Sequence, residues 1–205
     1  DHNGEMYFLD HPKGTINRLI RNPQQDVSNS FPRRLSETGL FLSTDQLAPM
    51  KGVIPYSINA EPWADFAVAE RHIGVPDALS IKADGEKWVF AENSVLAKTL
   101  SLEMQQGDPG TRRRIETQIL HFDGTVWNPY TYQWNIEQTD AVLVEASGTD
   151  VTLDIADPDA PNGIRRQNWR FAGRAECQRS HNSWSGPPLG SHHHPRSLNL
   201  SLIHI

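Results

Sequence analysis

From residue 87 to residue 171 the chain repeats one pattern, a short apolar or β-branched run followed by a polar turn. KWVFA, SVLAKTLSLEM, RIETQILHF, TVWNPYTYQWNI, AVLVEA, VTLDI and NWRFA follow one another, separated by Gly, Asp, Asn or Pro. The clearest period is two. Val126, Asn128, Tyr130, Tyr132, Trp134 and Ile136 fall on one face of a strand, and Thr125, Trp127, Thr131, Gln133 and Asn135 on the other. Val151, Leu153 and Ile155 repeat the alternation. Seven such strands at a spacing of roughly 10–15 residues predict a mainly β fold, an antiparallel sandwich or jelly-roll-like barrel, over residues 37–173.

The flanks read differently. In residues 1–22, EMYFLD and TINRLIR are short strands around the turn HPKG, and DHNGE ahead of them is a tight polar turn. Two strands do not stand alone in water, so this hairpin calls for partners upstream. A calcium site on Asp1, Asn3 and Glu5 has too few oxygens to be favoured. Residues 23–36 are polar with two prolines and read as a linker. In LSETGLF one helical turn begins near Ser36 and ends at Gly39. Residues 49–66 carry three prolines and read as extended loop with short strands. Residues 191–205, with His192, His193 and His194, form an irregular tail foreign to the pattern before it.

Composition narrows the function classes. The net charge of −6 argues against nucleic acid as a partner. No run approaches the ~18 apolar residues of a membrane span. The opening DHNGEMYFLD has neither a basic n-region nor an apolar h-region, so it reads as a mature start or as a cut through a longer protein. Hydrophobic content is 37% with a mean hydropathy of −0.56, and fourteen prolines and fourteen glycines favour strands and turns over long helices.

The candidate chemistry lies in RAECQRSHNSW, residues 174–184. It holds the single cysteine, Cys177, with His181 four positions on. Cys-x-x-Cys-His is the attachment signature of c-type haem, in which two thiolates add to the porphyrin vinyl groups and the histidine ligates iron. Here Ser180 stands in the second cysteine position, so only one thioether can form. The competing readings are a chance pattern, and a zinc or nickel site built from Cys177, His181 and the three tail histidines.

An ordered series of segments carries a resemblance. FPRRLSETGLF, GVIPYSINAEPWADFA, GDPGTRRRIETQILHF, YTYQWNIEQTDAVLV and NWRFAGRAECQRSHNSWSG, spread over residues 31–186, resemble an uncharacterised family of exported bacterial proteins. In that family a propeller of the glucose or sorbosone dehydrogenase type precedes a β-domain, which leads into a c-type cytochrome. The resemblance implies that residues 1–22 end a propeller's last blade and that 174–190 open a cytochrome segment. It also implies that Cys177 and His181 are the haem-binding pair, with His181 as iron ligand, in a periplasmic or secreted protein. The parent would oxidise a sugar or alcohol and pass electrons to haem c or a redox partner. Pyrroloquinoline quinone, if used, would belong to the upstream propeller.

Other features have plainer readings. Arg112, Arg113 and Arg114 are expected at a solvated strand end near Glu103, Asp108 and Glu116. Tyr130, Tyr132 and Trp134 are expected in the core rather than on a sugar-stacking face. Trp63, Asp65 and His72 are either a polar pocket on a long loop or a loop anchored by Trp63. No nucleophile elbow, zincin motif or P-loop is present, so no catalytic pair is named. The rival to a redox fragment is a non-enzymatic β-sandwich module that binds polysaccharide or protein.

Overall fold

The computed structural model describes residues 6–18, 30–58, 61–76, 79–84, 87–179, 181 and 198–199. The chain divides into two compact units, residues 1–31 and 32–205. The first holds the expected hairpin, β1 (Tyr7–Asp10) and β2 (Thr15–Arg18), antiparallel across a turn closed by the Gly14 N–H on the His11 carbonyl at 3.3 Å. Asp1, Asn3 and Glu5 lie outside the described residues.

The second unit is built on one antiparallel sheet. Along the chain run β3 (Phe41–Ser43), β4 (Ala48–Pro49), β5 (Val53–Ile58), β6 (Val68–Gly74), β7 (Lys82–Asp84), β8 (Lys87–Val89) and β9 (Val95–Glu103). They are followed by β10 (Arg112–Phe122), β11 (Trp127–Trp134), β12 (Ala141–Leu143), β13 (Thr149–Ala156), β14 (Ile164–Phe171), the one-turn helix α1 (Arg174–Cys177) and β15 (Leu198–Asn199). The main sheet has the order β12-β11-β10-β9-β6-β5-β15, and it does not close into a barrel. The strand runs expected between residues 87 and 171 all appear. β6 was not among them, because its inward charged residues hide the alternation.

Each face of the sheet is covered. On one face Tyr132 (0% exposed), Trp134, Ala97, Ile119 and Leu143 meet the segment that enters the domain. That segment contributes Leu35, Leu40, Phe41 and Leu47, all buried. Residues 32–36, which the sequence assigns to the linker, run along the sheet: the Tyr132 hydroxyl donates to the Pro32 carbonyl at 2.8 Å, and the Leu143 N–H to the Arg33 carbonyl at 2.9 Å. The expected helical turn is a 3-10 turn, Leu35–Thr38, ended by Gly39 at φ 72°.

The opposite face carries two apolar clusters. The β13–β14 hairpin lays Ile155, Trp169 and Phe171 on Leu100, Leu102 and Ile115. Toward the other end Phe90 packs with Ile73 and Leu96, flanked by Tyr56, Trp88, Leu120 and Trp127. Between these clusters the strand register sets a polar row, Tyr56–Arg71–Lys98–Gln118–Thr131, across β5, β6, β9, β10 and β11.

Candidate functional site

α1 sits at one end of that row. β12 pairs only with Tyr132–Trp134 of β11, and the Val144 N–H extends the cover to the Thr131 carbonyl at 2.8 Å. Beyond that, the outer edge of β11 receives α1 instead of a strand. The Arg174 guanidinium donates to Asn128 Oδ1 at 2.7 Å and lies 5.2 Å from the Tyr130 ring centre. Asn128 and Tyr130 belong to one sheet face and Thr131, beside Cys177, to the other, so the turn straddles the strand edge.

The approach to α1 depends on two glycines. A Cβ on Gly173 would lie 2.2 Å from the Ala146 carbonyl oxygen and 2.6 Å from the Gly148 nitrogen. A Cβ on Gly148, at φ +72°, would lie 2.5 Å from the Phe171 carbonyl oxygen and 2.7 Å from the Gly173 nitrogen. Only paired glycines let these backbones cross so closely. Arg170 then ties the turn down, donating to both Asp150 (3.0 Å) and Glu176, and it holds the Glu176 carboxyl below its ordinary range.

Helical bonding continues past α1. Gln178 N–H bonds to the Arg174 carbonyl at 3.0 Å and His181 N–H to the Cys177 carbonyl at 2.9 Å. Cys177 and His181 are therefore one turn apart and share a face, as the sequence spacing requires. Both are half-buried. Ser180 lies outside the described residues.

Their surroundings are polar and charged. Burial pushes the Cys177 thiol up, partly offset by Thr131 beside it, and pushes the His181 imidazole down with help from Lys98. Lys98 is itself lowered, first by burial and then by Arg71, with Glu116 and Glu61 opposing. Arg71, 7% exposed, is held by a two-pronged ion pair to Glu61 at 2.6 and 2.7 Å. Glu116, 2% exposed, accepts from Trp169 Nε1 and from Gln118 Nε2, each at 2.8 Å. Burial raises its pKa in spite of these two donors and of Lys98.

At neutral pH the thiol is protonated and a poor nucleophile. The imidazole is neutral, with a lone pair suited to a metal. Haem tests the fit. The donor chemistry suits a single thioether with a histidine ligand. Both groups adjoin the domain's own polar row at Thr131 and Lys98, where a porphyrin needs an enclosing apolar slot. The residues are right in kind, and their surroundings do not fit the group. Among the described residues no three of His, Cys, Asp or Glu gather to hold a metal ion. His192, His193 and His194 lie outside the described residues.

The remaining candidates separate cleanly. The arginine run serves the fold. Arg112 pairs with Glu103 at 3.0 Å, Arg113 donates to the Ile136 carbonyl, and Arg114 stacks 4.8 Å from the Trp134 ring centre. Glu116, expected beside it on the surface, is instead interior, on the same face of β10 as Gln118 and Leu120 and paired in register with Leu100. Tyr130, Tyr132 and Trp134 are core, and Trp134 Nε1 donates to Thr117 Oγ1 at 2.9 Å. Val126 and Ile136, at the ends of the same alternation, are exposed. The Trp63–Asp65–His72 pocket does not form. Trp63 Nε1 donates to Asp65 at 3.2 Å, whereas His72 is buried on the other sheet face with its ring 5.3 Å from Phe41 and its Nδ1 without a partner. Trp63 is 71% exposed and does not anchor the loop by burial.

The row around Lys98 and Glu116 was missed in the sequence. Its signal was present: Lys98 stands between Leu96 and Leu100 on an otherwise apolar face.

No helix among the described residues is long and apolar enough to cross a membrane. Comparisons with known protein families, with curated proteins and with solved structures find no match.

Proposed function

We propose that the chain is the connecting β-domain of a larger exported redox protein, and that in this copy the Cys177–His181 turn latches onto the domain rather than anchoring haem. By the resemblance stated above, the parent places a sugar or alcohol dehydrogenase-type propeller before the domain and a c-type cytochrome after it. Residues 1–22 are then the propeller's end, and the location is periplasmic or secreted. The domain's task is to fix the spacing between the two electron-transfer partners. The observation that carries this reading is the seating of the 173–181 turn. It is fitted across the β11 edge by the Gly148–Gly173 crossing, with the half-buried thiol beside Thr131 and the half-buried imidazole within the influence of Lys98. A connector needs such a fixed junction.

The test is a haem stain under denaturing conditions, after export in a host that matures c-type cytochromes, with the natural chain beside Ser180→Cys. The natural chain is expected to stay unstained. Stain in Ser180→Cys alone supports an ancestral site whose second anchor was lost. Covalent haem on the natural chain overturns the latch and restores Cys177 and His181 as a working, single-anchored site.

A further inference from the structure

The loop between β5 and β6 presents two exposed aromatic side chains. Trp63 is 71% exposed and Phe66 50%. Their rings meet edge to face, with centres 4.7 Å apart. Asp65 and Phe66 both sit in the left-handed region, at φ 48° and 69°, where a non-glycine residue is strained and two in succession more so. The strain is held from several sides. The Ala67 N–H closes the turn on the Ala64 carbonyl at 2.8 Å, and Gln167 Nε2 donates to the Asp65 carbonyl at 2.9 Å. Arg165 lies 4.2 Å from the Phe66 ring centre and is itself fixed by Asp157 (3.1 Å) and Gln106 (3.0 Å). Ala64 and Ala67 pack onto the cluster around Trp169. The strained turn at 64–67, held from several sides, leaves the neighbouring tryptophan in water and spends stability on presentation.

We propose that this loop is a stacking site for a neutral polysaccharide, with the Trp63 indole as its platform. The apolar C–H face of a pyranose ring matches a flat, bare aromatic side chain. The hydroxyls around such a ring call for a polar group close by, and the Asp65 carboxylate lies beside the indole, accepting from Trp63 Nε1 at 3.2 Å. Charge supports a neutral ligand, since Arg165 is answered by Asp157 and Arg71 by Glu61. A protein partner fits less well. A stable protein interface buries about 800 Å² per side around an apolar centre, and the aromatic surface here is one indole and half of one phenyl ring. The inference does not rest on the redox reading, and it holds whether or not the parent carries haem.

The test is affinity electrophoresis of the full chain through native gels containing hydroxyethylcellulose, soluble xylan or soluble starch. Retardation is expected in at least one gel. Trp63→Ala should weaken it at least tenfold, Trp63→Phe should retain part of it, and Ile136→Ala, an exposed apolar control, should leave it unchanged. Because Trp63 is exposed, the variant's thermal melt should match that of the natural chain. No retardation in any gel overturns the proposal, as does a Trp63→Ala chain retarded like the natural one or a Trp63→Phe chain as weak as the alanine variant.

Discussion

Glu116 occupies a position that strand alternation reserves for an apolar side chain, and its chemistry follows from that. Its two hydrogen-bond donors and nearby Lys98 favour the ionised carboxylate, yet burial outweighs them and the pKa stands above the ordinary 4.5. Below that value the carboxyl is protonated in folded and unfolded chains alike, and it does not affect stability. As pH rises through 4.5 the unfolded chain releases its proton first, so stability falls until the folded carboxyl also ionises, and then levels. Glu116→Gln keeps an acceptor for Trp169 and removes the ionisation. Urea midpoints measured between pH 4 and pH 8 should therefore show the variant gaining on the natural chain as pH rises. A constant difference would mean that Glu116 ionises as freely in the fold as outside it.

At the scale of elements, the strands were legible and their partners only in part. β9, β10 and β11 announce themselves because alternating β-branched and aromatic residues fit a pleated sheet with a buried face. β6 was obscure because Arg71 and His72 stand at buried positions, where Arg71 is paired by Glu61 of the preceding loop and His72 packs against the Phe41 ring from a distant segment. The helical turn through Cys177 and His181 was legible from its spacing. Its docking was not, because it depends on Gly148 and Gly173 meeting across a separation no local pattern reports. Gly173→Ala is expected to lever α1 away from β11 and cost about 2 kcal/mol, the order of an overpacked site. Iodoacetamide labelling of Cys177 at pH 8 should quicken ~10-fold, as local opening replaces protection. Unchanged labelling would show that the crossing is not what seats the turn.

For the whole molecule, the second unit carries both of its coverings within itself: the segment from Pro32 to Pro49 on one face, and the β13–β14 hairpin with Phe90 and Trp88 on the other. Sandwich-like layering could be expected from the sequence. That one sheet would be covered on both faces, rather than two equal sheets facing each other, could not, since that choice lies in long-range pairing. Residues 32–205 expressed alone are expected to unfold in one cooperative urea transition. Two separate transitions would show that the coverings fold independently of the sheet. The hairpin in residues 1–31, with Phe8, Leu9 and Ile16 exposed, should show no stable fold as a peptide.

The turn laid over β11 has a further effect, on how copies of the chain behave toward one another. Where β12 stops, β11 would offer bare backbone amides and carbonyls beside the Tyr130 ring, a ready template for a strand from another molecule. α1 occupies that edge with a helical backbone that cannot extend a sheet. A chain whose turn has lifted, through Gly173→Ala or through cleavage after Phe171, would expose a sticky strand, and it should be lost to insoluble assemblies at concentrations where the intact chain stays dispersed.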